Sequence, residues 1–281
     1  MLVRFYVEDG RRSRTLAEAM GIGMRNGEDY FQIENKRNFN GGDLADVAVL
    51  YGLWDNSREI IKKHISAGKK TLFFDLGYWG RHEGGRLEGY HRIAINDYHA
   101  KFEVDHSCPS DRFDHFDIKT KEFRSFGDYV LLCGQSEKAA WVYGLKAEEW
   151  EISVVRRIRE ITDLPIYYLP KNSWKDKKPI PRTRYCHGEL SDYLGDCAYV
   201  VTHHSNSGVH ALAAGKNLYA ADGIATSLSN CTALDNMVNG VVYPGEELRD
   251  KFLHNVAYWQ WSVNELRSGA MWEYLRKKEL V

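Results

Sequence analysis

The chain has no cysteine framework, no membrane-length apolar run and no excess of charge of one sign. Its five cysteines, Cys108, Cys133, Cys186, Cys197 and Cys231, are odd in number and scattered, with no C-x-x-C pair. That excludes a disulfide scaffold and gives no zinc-knuckle spacing, and a reducing cytoplasm is the expected setting. No apolar stretch approaches the roughly 20 residues that cross a bilayer. The opening MLVRFYVEDGRRSR is broken by charge within a few residues, unlike a secretory leader, so a soluble protein with no membrane partner is expected. Lys and Arg number 38 against 39 Asp and Glu, a net charge of -1, so any nucleic-acid surface must be a local basic patch. There is no G-x-x-x-x-G-K-[ST] loop, which removes a P-loop ATPase, and there is neither a short internal repeat nor a low-complexity tract.

What the chain does have is 43 % apolar and 13 % aromatic residues over 281 positions, enough for two modest domains. Short apolar runs alternate with amphipathic stretches: strand Leu2 to Val7 and helix Arg14 to Met24; strand Val47 to Tyr51 and helix Asn56 to Ala67; then TLFFDLGYWGR. Such alternation predicts βαβ units and a mainly parallel sheet. The rhythm lapses over residues 96 to 126 and restarts with strand Tyr129 to Cys133, helix Glu148 to Thr162, strand IYYLP, and strand Ala198 to Val201 followed by helix Val209 to Ala214. We expect an α/β domain over 1–127, a second over 128–245, and a Trp-rich helical segment over 246–281 packing back on the first. Two such domains imply a cleft faced by the C-terminal ends of their strands.

Four stretches could carry chemistry. Asp75, at the end of an apolar run and before Gly77, could act as a general base toward a hydroxyl, or could cap its turn or pair with Arg81. Gly134-Gln135-Ser136 with Lys138 could hold a diphosphate through backbone amides and a point charge, or be an ordinary strand-to-helix turn. His203-His204-Ser205-Asn206-Ser207-Gly208 should open a helix, where unpaired N–H groups suit an anion. His203, His204 and His210 are poor zinc ligands, because adjacent residues on a continuing strand point opposite ways. Residues Asp97 to Asp117 are rich in metal-ligand types without a ligand spacing. Basic groups gather at Arg11 and Arg12 and at Lys175, Lys177 and Lys178, where they could contact a nucleic-acid backbone or form solvated loops.

Together these stretches resemble nucleotide-sugar glycosyltransferases of the GT-B type, two Rossmann-like domains with the donor domain second. Val200 to Gly223 (VVTHHSNSGVHALAAGKNLYAADG) resembles the donor loop of capsule-type enzymes. Asp75-Leu76-Gly77-Tyr78-Trp79-Gly80-Arg81 is similar to the Glu-Asp-Gly-Phe-x-Arg segment of bacterial Kdo transferases, with one acid instead of two and the spacing shifted by a residue. The run GYWGRHEGGRLEGYHRIAIN also resembles phage-encoded proteins. The resemblance implies a hexosyl or pentosyl transfer from a nucleotide-sugar such as a UDP-sugar. The acceptor would be the 5-hydroxymethyl group of a modified pyrimidine in DNA, or alternatively a glycan. It implies Asp75 as base, donor contacts from Gly134, Gln135, Ser136, Lys138 and His203 to Gly208, and acceptor contacts from Arg11, Arg12, Tyr78, Trp79, Arg81, Lys175, Lys177 and Lys178. No Asp-x-Asp occurs, so metal-independent transfer with no resident cofactor is expected. An epimerase or a binding module of the same fold are the rivals from other classes.

Overall fold

The computed structural model describes residues 1–25, 27–53, 56–171, 178–229, 233–239 and 243–281. It forms two compact units, Met1–Ala100 with Val256–Val281, and Lys101–Asn255. In chain order the first unit runs β1 (Leu2–Val7), α1 (Arg11–Gly23), β2 (Tyr30–Asn35), β3 (Val47–Tyr51), α2 (Ser57–Ser66), β4 (Lys70–Leu76) and β5 (Tyr90–Ile95). The second continues with α3 (Asp111–Asp114), β6 (Tyr129–Cys133), α4 (Glu137–Val142), α5 (Glu149–Ile161), β7 (Ile166–Leu169), β8 (Arg184–Tyr185), α6 (Ser191–Leu194), β9 (Cys197–Thr202), α7 (Ser207–Ala213), β10 (Asn217–Ala220) and α8 (Asn236–Asn239). Within α9 (Glu246–Tyr258) the chain re-enters the first unit, which ends with β11 (Gln260–Ser262), α10 (Val263–Ser268) and α11 (Ala270–Lys277).

The first unit holds a six-stranded sheet, β11-β5-β4-β3-β1-β2. Its β2, β1, β3 and β4 are parallel, and β5 alone runs against them, antiparallel to both of its neighbours β4 and β11. Buried on both faces, β3 reads as an unbroken apolar run, and β1 is apolar but for Arg4, whose buried guanidinium pairs with Asp43. Leu16, Ala17 and Met20 of α1 pack with Phe5, Val49, Phe74, Trp261 and Leu266 into one core. The edge strand β2 (YFQIEN) lacks such a run; Tyr30 and Ile33 are more than half exposed, and periodicity does not find it. The C-terminal segment 246–281, expected to be helical, holds α9, α10 and α11 and in addition the short strand β11, where alternation places Gln260 and Trp261 on opposite faces of the pleat, both buried.

The second unit is fully parallel, in the order β10-β9-β6-β7-β8. It begins at Lys101 rather than Asp128, since residues 101–126 are tied to it by backbone bonds that leave no apolar rhythm. Lys121 N donates to Ala213 O and Arg124 N to Gly215 O, each at 2.9 Å. Asp105 N donates to Asn255 Oδ1 at 2.8 Å. Gly215, closing the Ala-x-x-x-Gly pattern, has φ +66° and would place a Cβ 2.2 Å from Glu122 O, so only glycine fits beneath that strap.

Candidate functional site

In an open parallel sheet, ligands sit outside the C-terminal strand ends where the strand order reverses. In the second unit that point lies between β6 and β9, whose last residues Cys133 and Thr202 pair in register. The loops 134–136 and 203–207 therefore leave the sheet side by side, and the Cys133 thiol meets the Ser207 hydroxyl. Gln135 and Ser136 on the first loop and His203, His204, Ser205 and Ser207 on the second thus lie at one edge of the sheet. Lys138 lies exposed in the first turn of α4, which Ser136 caps by accepting Ala139 N. Glu151, which sequence reasoning missed, fixes the first loop: fully buried on α5, its Oε1 accepts Gln135 N at 2.8 Å, and burial pushes its pKa up. A lone glutamate on an amphipathic helix gives no sign of this in sequence.

The backbone of the second loop is largely spoken for. Ser205 N donates to Thr202 Oγ1, Ser207 N to Ser205 Oγ, and Gly208 N to Ser205 O. The α7 helix is only two turns long, so the expected array of open amides is not there, and side chains must do most of any anion binding. Gly208 is buried and faces inward: a Cβ would lie 2.8 Å from Ala225 Cβ. It is a glycine because α7 packs closely on 224–228, not because a phosphate approaches it. Gly208→Ala should accordingly destabilise the protein by about 1–3 kcal/mol and leave nucleotide affinity of the folded fraction unchanged. Thermal melts with calorimetric titration check this; an unchanged melt with weakened binding would restore the phosphate contact.

His203 and His204 stand in an aromatic box. Tyr143, at the end of α4, lies 4.3 Å from the His203 ring and stacks on His204 at 5.3 Å, while Trp150 meets His203 edge-on. The Tyr143 hydroxyl donates to Asp222 Oδ2 at 2.5 Å, and Lys101 Nζ lies 3.0 Å from Asp222 Oδ1. Asp222 follows β10 in Ala-Asp-Gly, an acid at a strand end that the sequence displays openly.

In the first unit the order reverses between β1 and β3. There Glu8 lies 3.7 Å from the fully buried Lys36 Nζ, which donates to the carbonyls of Tyr51 and Gly52. Arg12 donates to the Tyr51 hydroxyl and to Arg86 O. Arg11 is exposed. Asp75, 44 % exposed, is the penultimate residue of β4 and pairs with Arg92 at 2.7 Å, its cross-strand partner on antiparallel β5. Arg81 donates to Gly77 O. Tyr78 and Trp79 are only 3 % and 5 % exposed, so they brace the loop and offer no open face for stacking. Arg92 donates to the Tyr78 hydroxyl, and Gln260 Oε1 accepts both Tyr78 N and Trp79 N. His91 is enclosed: Gly89 O can only accept, so Nδ1 carries the proton, and burial, then Arg12, pushes the imidazole down to about 4.

No protein-family model and no curated protein matches the sequence. Among solved structures, the β-Kdo 2,4-transferase KpsC of Thermosulfurimonas dismutans is 14 % identical, with a TM-score of 0.54 over 95 % of this chain and 98 % of that one. The β-Kdo 2,7-transferase of the same organism's KpsC is 12 % identical, with a TM-score of 0.55 over 99 % of both. The fold is GT-B-like. At these identities the likeness carries the fold alone. A UDP-GlcNAc 2-epimerase of Methanocaldococcus jannaschii, in complex with UDP-GlcNAc and UDP, superposes with a TM-score of 0.33, too low to argue from.

Of the basic positions, Lys175 and Lys177 lie outside the described residues, and Lys178 is exposed, its backbone N donating to Glu148. Among the described residues no group of three or more His, Cys, Asp or Glu is arranged to hold a metal, including those of Asp97 to Asp117. No described helix is long and apolar enough to cross a membrane.

Proposed function

We propose that this GT-B-like chain is a glycosyltransferase whose second unit binds a nucleotide-sugar and whose Asp75 activates an acceptor hydroxyl. The observation that carries the donor half is the reversal of strand order between β6 and β9, which sets Gln135, Ser136 and the His203–Ser207 loop at one C-terminal edge. An alkyl hydroxyl is a poor nucleophile at neutral pH; a partly exposed carboxylate at a strand end can take its proton as it attacks the anomeric carbon. The departing phosphate gains charge, which the imidazoles and hydroxyls of the second loop would offset. Arg92 is a positioning residue, orienting Asp75.

For the acceptor, we favour a hydroxymethylated pyrimidine in DNA, on the likeness of residues 77 to 96 to phage-encoded proteins. A glycan acceptor is the second reading. It is favoured by the burial of Tyr78 and Trp79, which leaves no stacking face for an extruded base, and by the fold shared with Kdo transferases. Incubation with nucleotide-sugars and hydroxymethylated duplex should add one sugar mass to a digested nucleoside. Addition to an oligosaccharide alone moves the acceptor to glycans. Failure to bind any nucleotide overturns the transferase reading.

A further inference from the structure

The two histidines of the donor loop share a contact that constrains their protons. His203 Nδ1 and His204 Nδ1 are 3.1 Å apart, with ring planes at 71°. Only one hydrogen fits between two nitrogens at that distance, so one ring donates and the other accepts. In the neutral pair the donor ring has a bare Nε2 and the acceptor ring carries Nε2–H. One added proton turns both Nε2 atoms into donors while keeping the shared hydrogen; a second would set two N–H groups against each other. The pair thus has two accessible states, neutral and singly charged.

We propose that His203 and His204 act as one unit that binds a phosphate oxyanion of the nucleotide by taking up a single proton from solution. This rests on reading the second unit as the nucleotide site. No covalent bond changes: the buffer acid loses the proton, the pair gains it, and the phosphate stays ionised. The rings are held in register for this. Tyr143 packs on both, Trp150 closes the His203 edge, and His203 O accepts from Asp222 N at 2.6 Å.

Among the described residues, charged and titratable groups reach the pair from three places. Tyr143 ends α4, Asp222 follows β10, and Lys101 reaches Asp222 from the start of the unit. Burial alone would raise the Asp222 carboxyl, but the Tyr143 hydroxyl, Gly223 N–H and Lys101 outweigh it and hold it below the ordinary range. Asp222 therefore supplies one negative charge that favours a protonated pair. Burial outweighs it at His203, whose pKa lies below the usual imidazole value. Burial thus disfavours a charge on the free pair, and a second negative charge, brought by the ligand, shifts it toward the cationic state.

The test is calorimetric titration of nucleoside mono- and diphosphates, UDP first, into the full chain at about pH 8. That is roughly two units above the second phosphate pKa, so the ligand has no proton to lose. Two buffers of unlike ionisation enthalpy are compared. Uptake of about half to one proton per nucleotide is expected, with affinity weakening by up to about tenfold per pH unit as pH rises. His203→Asn and His204→Asn keep a polar side chain but cannot gain the proton, and should bring uptake close to zero. If either variant fails to fold, the wild-type titration alone decides. Binding without proton uptake overturns this proposal and leaves the nucleotide site standing. No binding of any nucleotide overturns both.

Discussion

Asp75→Asn should lower the single-turnover transfer rate of the folded protein by about 10² to 10⁴, with donor and acceptor affinities little changed. The amide keeps the shape but has one oxygen where the carboxylate uses two, Oδ1 for Leu76 N and Oδ2 for Arg92, so one of those bonds is lost, and it cannot accept the hydroxyl proton. The same change removes the charge opposite an Arg92 guanidinium that is only 5 % exposed, so stability should fall too, by about 1–3 kcal/mol. A melting curve and a rate normalised to folded protein, on one preparation, separate the two effects. A normal rate with a lowered melt would remove Asp75 as base. Glu8, at the reversal point of the first sheet, would then be the better candidate. Asp9 is tied to Arg14 and Arg37, and the His91 Nε2 is enclosed.

Gln260→Met should produce the largest loss of stability among the single changes considered, about 2–5 kcal/mol. One buried carbonyl oxygen accepts two backbone N–H groups, Tyr78 at 2.7 Å and Trp79 at 3.1 Å, and methionine fills the space while leaving both donors unmet. Because that loop follows Asp75 directly, the transfer rate should fall as well, and more than the nucleotide affinity of the second unit. Chemical denaturation and nucleotide titration check this together. A melt within experimental error of the parent would mean that the loop holds itself.

Much of the fold is legible in the sequence because parallel strands buried on both faces are mostly apolar, with an occasional paired exception such as Arg4 of β1. Leu2 to Val7, Val47 to Tyr51 and Tyr129 to Cys133 appear as strands at the bounds their runs suggest. The loops 134–136 and 203–207 are legible for the same reason, since each begins where an apolar run stops. Sequence alone could not show which strands lie next to which. Only the order β10-β9-β6-β7-β8 sets the Gln135 and His203 loops together, and only the antiparallel register of β4 with β5 brings Arg92 to Asp75. Residues acting across long separations, Gln260 on Tyr78 or Glu151 on Gln135, leave no periodic trace, because a buried polar side chain is placed by its partner and not by its neighbours in the chain. Glycine shows the same division. Its presence at Gly208 is plain in the sequence, but whether it makes room for a ligand or for Ala225 depends on what packs against it, which is a property of the folded chain.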